Sequence, residues 1–276
     1  MKDFSFVYPN FELGGWLWQC LAVFVFGWVA FDPIHLAHLQ MITHVYHELM
    51  RAFPNVDIIA KLLPTAGSPL KTQPTSNQQR LQMLLLAIDD VPFLSIDETE
   101  LQCQPPVYSF HTLSEFKQRY PNDLLIFILG QDSVEQLDRW YRGFELLSLT
   151  NLWVLPRPAL GSRSLSPNLS PTLNHNLNHA LDKNLNQNAL ANTDKTPRLT
   201  IDNRLVPFII HSPKDLINQT TNHIYIDKFV VPDIASRDIR AWLYSTEARQ
   251  RQQARLSLPK EVYRYIVEHQ LYAPPV

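Results

Sequence analysis

The sequence predicts an α/β fold in which a mainly parallel sheet is flanked by helices and followed by a C-terminal helical part. Short apolar runs alternate along the chain with longer stretches in which apolar residues recur at helical spacing. The chain has 276 residues, of which 45% are hydrophobic and 18% are charged, so it can bury the large core that such a sheet needs.

The candidate strands are short apolar runs, at residues 21–25, 56–60, 124–129, 152–155, 207–210 and 224–226. A continuous run such as 21–26 is typical of a central parallel strand that helices cover on both faces. The uncharged stretch 13–31 is also long enough to cross a bilayer, which leaves a membrane-anchored protein as an alternative. Gly14, Gly15 and Gln19 dilute that stretch, and Asp3 and Glu12 weaken any positive leader, so a strand is favoured.

The predicted helices lie between and after these strands. From residue 36 to 53, apolar side chains recur at Leu36, Leu39, Ile42, Val45 and Leu49, which is helical spacing. The same criterion predicts helices over 77–88, 112–119, 134–144, 236–248 and 259–270. Proline at position 259 suits the first turn of the last helix.

One segment interrupts the alternation of strands and helices. Residues 160–198 are dominated by Asn, Leu, Ser and Pro, and Asn competes for backbone hydrogen bonds inside helices, so a disordered insertion is predicted. His175 and His179 lie four apart within it, but the nearby sequence offers no further metal ligand at a known spacing. We expect a single domain over residues 21–272, interrupted by this insertion and preceded by an N-terminal extension at 1–20.

Charge and cysteine content exclude several classes of protein. The formal net charge is −2, so no overall positive field would hold a nucleic acid. The two cysteines, Cys20 and Cys103, are too few for a disulfide framework and lack the spacing of a structural zinc site. Together these features predict a cytoplasmic protein that binds neither nucleic acid nor membrane, and they leave the oligomeric state open.

The most informative segment joins the first strand to the first helix and reads Phe31-Asp32-Pro33-Ile34-His35-Leu36-Ala37-His38. The first turn of a helix carries unpaired N–H groups and a positive dipole end, so it attracts anions. His35 and His38 fall on one helical face, where both rings can donate hydrogen bonds to one phosphate. Two histidines at this spacing are more often ordinary surface or core residues, but their position after strand, Asp and Pro favours a phosphate site.

This segment resembles the HxGH nucleotidyltransferase superfamily, and within it the nicotinate mononucleotide adenylyltransferases, which have a Rossmann-like fold. In that family the turn after the first strand usually reads Gly-Gly-Thr-Phe-Asp-Pro-Ile-His-x-Gly-His. Six further segments resemble the family in the same order, at 64–71, 80–88, 107–113, 128–147 with Arg157-Pro158 beyond it, 233–240 and 258–272. The resemblance covers most of residues 21–272 apart from the insertion.

The resemblance implies transfer of the adenylyl group of ATP to nicotinate mononucleotide, giving deamido-NAD and pyrophosphate in NAD biosynthesis. A phosphate oxygen of the acceptor would attack the α-phosphorus of ATP and pyrophosphate would leave, with Mg²⁺ across the triphosphate and no dedicated metal site expected in the chain. The catalytic residues implied are His35, His38, Lys71 and Arg240. The ATP-binding residues implied are Phe31, Asp32, His35, His38, Asp132, Ile234, Ser236 and Arg240.

The same resemblance implies that Trp140 and Tyr141 stack on the pyridine ring, and that backbone N–H groups near Tyr108 and Ser109 receive its carboxylate. Aromatic residues of this kind are equally often part of a core. Asp132 has two open interpretations, a contact with ribose or metal and a cap on the following helix. Lys71 taken alone would more often be a solvated surface cation.

The chain departs from the family pattern at several positions. Trp28-Val29-Ala30 stands where the family has Gly-Gly-Thr, Ala37 replaces the glycine of the HxGH motif, and Leu70 replaces the loop histidine. Glycines let a backbone approach phosphate closely, so either the turn is reshaped with an extra residue or the Trp28 side chain obstructs ATP, which then binds poorly. Two alternatives follow: an adenylyltransferase that uses another phosphate acceptor, and a catalytically weakened homologue that only binds nucleotide.

Overall fold

The computed structural model describes residues 22–67, 75–157, 199–217 and 221–274. The expected N-terminal extension (1–20), the insertion (160–198) and the loop residues Leu70 and Lys71 lie outside these ranges. Within them, one sheet contains β1 (Ala22–Val29), β2 (Asp57–Pro64), β3 (Leu94–Ile96), β4 (Leu124–Gly130), β5 (Asn151–Leu155), β6 (Ile209–Ile210) and β7 (Ile224–Ile226).

The strand order is β3-β2-β1-β4-β5-β7-β6, and every adjacent pair is parallel. This confirms the predicted parallel sheet and adds β3, an edge strand of three residues that is too short to give a sequence signal. The order of the strands reverses between β1 and β4. In open parallel sheets, ligands bind beyond the carboxyl ends of the strands at this kind of reversal.

The α-helices are α1 (Leu36–Ala52), α2 (Asn77–Ile88), α3 (Ser109–Arg119), α4 (Gln131–Val134), α5 (Ser236–Leu243), α6 (Ala248–Ser257) and α7 (Lys260–Glu268). The predicted helix over 236–248 therefore ends early, at Leu243, and a separate helix follows it. The predicted helix over 112–119 begins three residues earlier, at Ser109.

The predicted helix over residues 134–144 is wrong. The chain there forms two short 3₁₀ helices, Leu137–Arg139 and Gly143–Ser148, and Arg142 between them adopts a left-handed conformation with φ of 53°. The segment folds back so tightly that a Cβ atom at Gly143 would lie 1.9 Å from the carbonyl oxygen of Leu137. Apolar spacing alone predicted an α-helix, but this close approach and left-handed turn exclude one.

The central strand β1 is buried on both faces. Val23 and Val25 pack into a cluster with α1 and α7, whereas Phe24 and Phe26 pack on the other face against α3. This confirms the strand interpretation over residues 22–26, because a strand covered on both faces has no polar alternation. No helix within the described ranges is both long and apolar enough to cross a membrane.

Helix α1 is anchored to the far half of the sheet by a buried polar group. The ring of His44 lies 2.8 Å from the Asp227 carboxylate just after β7, measured from Nε2 to Oδ2. The same carboxylate oxygen accepts the indole N–H of Trp153, in β5, at 2.8 Å. These bonds fix the direction of α1 relative to β5 and β7, and hence the position of its N-terminus.

Candidate functional site

The segment 30–35 forms the turn between β1 and α1, at the carboxyl edge of the sheet and next to the reversal of strand order. Strand β1 runs on through Val29, which pairs with Pro64 of β2, so the chain has no glycine turn at Trp28 and Val29. The obstruction predicted for Trp28 concerns a side chain outside the described structure. We call residues 30–35 the phosphate-binding turn. This turn begins directly after the strand, which ends at Val29.

The backbone of the phosphate-binding turn is strained at its start. Phe31 is buried and has a φ of 50°, a left-handed conformation that is uncommon outside glycine. Its ring meets the ring of His38 edge-on, with centroids 5.1 Å apart. Such strain persists where the surrounding structure holds it in place, and it concentrates at functional sites.

Arg80, in α2, holds the turn from one side. Its guanidinium is fully buried and donates hydrogen bonds to the carbonyl oxygens of Ala30 and Thr65, each at 2.6 Å. It also donates to the side-chain oxygen of Asn77 at 2.6 Å. Burial lowers the pKa of Arg80, and the nearby Asp32 opposes that shift. This cation therefore joins the ends of β1 and β2.

The carboxylate of Asp32 points away from solvent and is bound by residues distant in sequence. It is 3% exposed, and Oδ1 accepts hydrogen bonds from Thr75 Oγ1 at 2.5 Å and from the Tyr272 hydroxyl at 2.6 Å. Its Oδ2 has no hydrogen-bond partner among the described residues. The side chain predicted to bind ATP thus serves the internal structure of the turn, and its role toward ATP stays a prediction.

Two side chains of α5 bind the same turn. Arg240 Nη1 donates to the backbone carbonyl of Asp32 at 2.6 Å, and Ser236 Oγ donates to the carbonyl of Pro33 at 3.0 Å. The structure therefore brings Ser236 and Arg240 to the histidine segment, and their roles toward ATP stay predictions. Ile234 is buried in the core, so only its backbone is available to a ligand.

His35 and His38 stack on each other at the start of α1, with ring centroids 3.6 Å apart and planes inclined by 19°. The backbone N–H of His35 donates to Nδ1 of His38 at 3.3 Å. Because Nδ1 accepts this bond, the neutral ring of His38 carries its proton on Nε2. The second histidine can therefore donate from the ring atom farther from the backbone.

The ring of His35 is neutral at physiological pH. It is 2% exposed, and burial, assisted by the positive charge of Arg157, lowers the pKa of His35 from 6.5 to about 3. Its Nδ1 is buried without a hydrogen-bond partner among the described residues. His35 can thus donate one hydrogen bond to an anion but brings no charge to it.

Arginine side chains bring positive charge to this edge of the sheet. Arg157, which follows β5, forms an ion pair with Asp132 in the first turn of α4, with Nε and Oδ2 2.9 Å apart. The backbone N–H of Arg157 donates to the side chain of Gln131 at 3.0 Å. The Asp132 side chain is 61% exposed, so water and ligand can reach this pair. The sequence pattern pointed to no role for Arg157, although this residue lies in a family-like segment.

Tyr108, Ser109 and Tyr141 come together at the start of α3. The Tyr141 ring is 47% exposed, and its centroid lies 5.0 Å from that of Tyr108 and 5.2 Å from that of His111. Ser109 is buried and begins the helix, whose first turn offers backbone N–H groups. Trp140 instead packs against the core cluster on the α3 face. No sequence signal pointed to His111.

Comparison with known proteins places this geometry in a family. The cytidylyltransferase-like family model matches residues 29–253. The chain is 30% identical to a probable nicotinate-nucleotide adenylyltransferase of Idiomarina loihiensis over 88% of its own length and 95% of that protein. It is 32% identical to a protein of the same description from Pectobacterium atrosepticum, covering 88% and 94% of the two chains.

A solved structure has the same fold. The nicotinic acid mononucleotide adenylyltransferase of Plasmodium falciparum, determined in complex with NaAD, aligns with a TM-score of 0.60. The alignment covers 91% of this chain and 97% of that one at 14% sequence identity. At this level of identity the likeness establishes the parallel α/β architecture and no more.

Proposed function

Because this chain belongs to the cytidylyltransferase-like family and, within it, to the nicotinate-nucleotide adenylyltransferases, we propose that it transfers the adenylyl group of ATP to nicotinate mononucleotide. The products are deamido-NAD and pyrophosphate. The observation that carries the proposal is the stacked pair His35 and His38 at the N-terminus of α1, beside the reversal of strand order. That is where a parallel sheet binds the phosphates of a nucleotide.

The triphosphate of ATP is proposed to lie against the first turn of α1. Backbone N–H groups and the helix dipole attract its negative charge, and His38 donates from Nε2. His35, which burial keeps neutral, adds a directed hydrogen bond but no positive charge. Little covalent work falls to the protein, since phosphoryl transfer is accelerated mainly by alignment and by stabilising charge on the bridging oxygen.

Positive charge for the departing pyrophosphate is proposed to come from Arg240 and Lys71, with Arg157 nearby. The Arg240 guanidinium is already fixed by the Asp32 carbonyl, which leaves its remaining N–H groups for phosphate. Mg²⁺ enters with ATP as part of the substrate. The described residues contain no cluster of three or more His, Cys, Asp or Glu side chains that would hold a metal, so triphosphate oxygens would supply most of its ligands.

The acceptor nucleotide is proposed to bind at the rings of Tyr108 and Tyr141. Tyr141 exposes enough of its face to stack on a pyridine ring. The first N–H groups of α3 and the Ser109 segment would receive the ring carboxylate, since a helix N-terminus favours an anion over a neutral amide. Trp140 would support Tyr141 from the core side.

The catalytic unit is proposed to comprise residues 21–272 as a single domain. One continuous core cluster joins β1 and α1 to the C-terminal helices, so the helices after residue 236 are packed on the sheet. We place the enzyme in the cytoplasm, where ATP and nicotinate mononucleotide are available, and cell fractionation with antibody detection tests this.

The test is pyrophosphate release from purified protein with ATP, Mg²⁺ and nicotinate mononucleotide. We expect turnover that exceeds turnover with nicotinamide mononucleotide, and a His38→Ala variant that folds but is nearly inactive. ATP binding without turnover on either nucleotide would instead indicate a nucleotide-binding homologue. Turnover only with a different phosphate acceptor would reassign the substrate.

A further inference from the structure

The segment that follows α7 is strained and reaches the phosphate-binding turn. After α7, Gln270 and Tyr272 both adopt left-handed conformations, with φ of 51° and 65°. Between them, Leu271 is buried, its N–H donates to Ile266 and its carbonyl accepts the Tyr244 hydroxyl at 2.9 Å. Two left-handed residues outside glycine persist only where surrounding contacts hold them.

The segment places the hydroxyl of Tyr272 against Oδ1 of Asp32, and these two residues are 240 positions apart in the chain. The hydrogen bond is 2.6 Å long, and bonds from a hydroxyl to a carboxylate are among the stronger ones in proteins. The phenol also lies 3.9 Å from the sulfur of Met83 in α2. The side chain of Tyr272 therefore connects the C-terminal segment, α2 and the turn.

Asp32 is hydrogen-bonded through both its side chain and its backbone carbonyl. Its carboxylate accepts from Tyr272 and Thr75, while its backbone carbonyl accepts from Arg240. A carboxylate turned toward the triphosphate would bring its negative charge close to the phosphates and repel them. With the side chain turned into the protein and bonded there, the neighbouring backbone and both histidines are left to face the anion.

We propose that Tyr272 is a positioning residue for ATP: by binding the Asp32 carboxylate, it fixes the turn that presents His35, His38 and the N-terminus of α1 to the triphosphate. The proposal rests on the adenylyltransferase function and adds to it a residue that touches neither substrate. It assigns a role to the C-terminal segment 270–273, which lies far from the histidines in sequence.

The experiment compares Tyr272→Phe with Tyr244→Phe in the full chain. Each variant removes one hydroxyl, and Tyr244→Phe removes a bond to the same C-terminal segment that does not involve Asp32. We expect Tyr272→Phe to lower kcat/KM for ATP about tenfold, equivalent to about 1.4 kcal/mol. KM for nicotinate mononucleotide should stay within about twofold of wild type, and Tyr244→Phe should change neither constant.

A second measurement follows the histidines without any turnover. The side-chain NMR signals of His35 and His38 should shift in Tyr272→Phe and stay unchanged in Tyr244→Phe. An Asp32→Asn background should reduce the kinetic effect of Tyr272→Phe, because a neutral amide accepts a weaker bond from the phenol. Such non-additivity is expected only if the two side chains act together.

The outcomes separate this inference from the proposed function. An active wild type whose Tyr272→Phe variant has unchanged ATP kinetics overturns the positioning role and leaves the function standing. Equal kinetic losses in Tyr272→Phe and Tyr244→Phe also overturn it, because they indicate general loosening of the C-terminus. A wild type without turnover refutes the function, and the histidine signals then decide the positioning role by themselves.

Discussion

The phosphate-binding turn and the aromatic surface around Tyr141 differ in how they are held. The turn is buried and is bonded to Arg80, Thr75, Arg240, Ser236 and Tyr272, which come from distant parts of the chain. The aromatic surface is formed by ring contacts of Tyr141, between the two 3₁₀ helices, with Tyr108 and His111 at the start of α3, and the Tyr141 ring is half exposed. The difference predicts that the proposed ATP side is rigid before binding, whereas the proposed acceptor side adjusts to its ligand.

This contrast predicts that substitutions at the turn affect both stability and catalysis, while substitutions at the aromatic surface affect only acceptor binding. A preorganised site directs its hydrogen-bond donors at developing charge without rearranging during the reaction. A half-exposed stacking surface contributes affinity through contact area and ring geometry. The following predictions test the contrast.

The largest effect is expected from Arg80→Met. The substitution removes the donor to the carbonyl oxygens of Ala30 and Thr65, and each buried acceptor left without a partner costs about 1–3 kcal/mol. Urea denaturation should show this loss, together with an inactive enzyme. Arg51→Met, an exposed arginine on α1, is the control and should unfold like wild type. Equal stability of the two variants would mean that the turn is not held from α2.

His38→Ala should lower kcat strongly while leaving the fold intact. Removing one donor aimed at transition-state charge typically costs about 10²- to 10³-fold. The His38 ring is only partly buried, so its loss leaves a small cavity. Steady-state kinetics, with circular dichroism to verify folding, provide the measurement. His269→Ala, an exposed histidine after α7, serves as the matched control and should retain full activity.

Acid should destabilise the turn through His35. Its folded pKa of about 3 lies below its ordinary value of 6.5, so the unfolded chain binds a proton more readily than the folded one between these two values. The contribution of His35 to the free energy of unfolding should therefore be fully present above pH 6.5 and should be lost as the pH falls toward 3. Urea titrations at several pH values measure it. In His35→Gln the decrease over this interval should be smaller, and an unchanged profile would refute burial of a neutral ring.

The smallest effect on the fold is expected from Tyr141→Ala. Loss of one stacking ring should raise KM for nicotinate mononucleotide about tenfold, in line with about 0.5–1.5 kcal/mol for an aromatic contact beyond its buried area. KM for ATP and the melting temperature should stay at wild-type values. Tyr141→Phe keeps the ring and should bind the acceptor normally. A raised KM for ATP instead would show that the two sides of the site are not separate.

Much of the fold was predictable from the sequence because buried parallel strands and amphipathic helices have distinct apolar patterns. The pattern located six of the seven strands and the stretch of α1. It missed β3 because three residues at a sheet edge carry too little signal. It predicted one helix over 134–144 because apolar spacing does not register the close approach at Gly143 or the left-handed Arg142.

The sequence by itself predicted the chemistry of the site, since an Asp-Pro turn and two histidines between a strand and a helix favour phosphate binding. Only the tertiary structure decided how the parts act. It turned the Asp32 carboxylate inward and made His35 neutral, and it brought Arg80 and Tyr272 to the turn and Arg157 to Asp132. The physical reason is that burial and hydrogen bonding depend on neighbours brought from distant parts of the chain, and local spacing does not encode those neighbours.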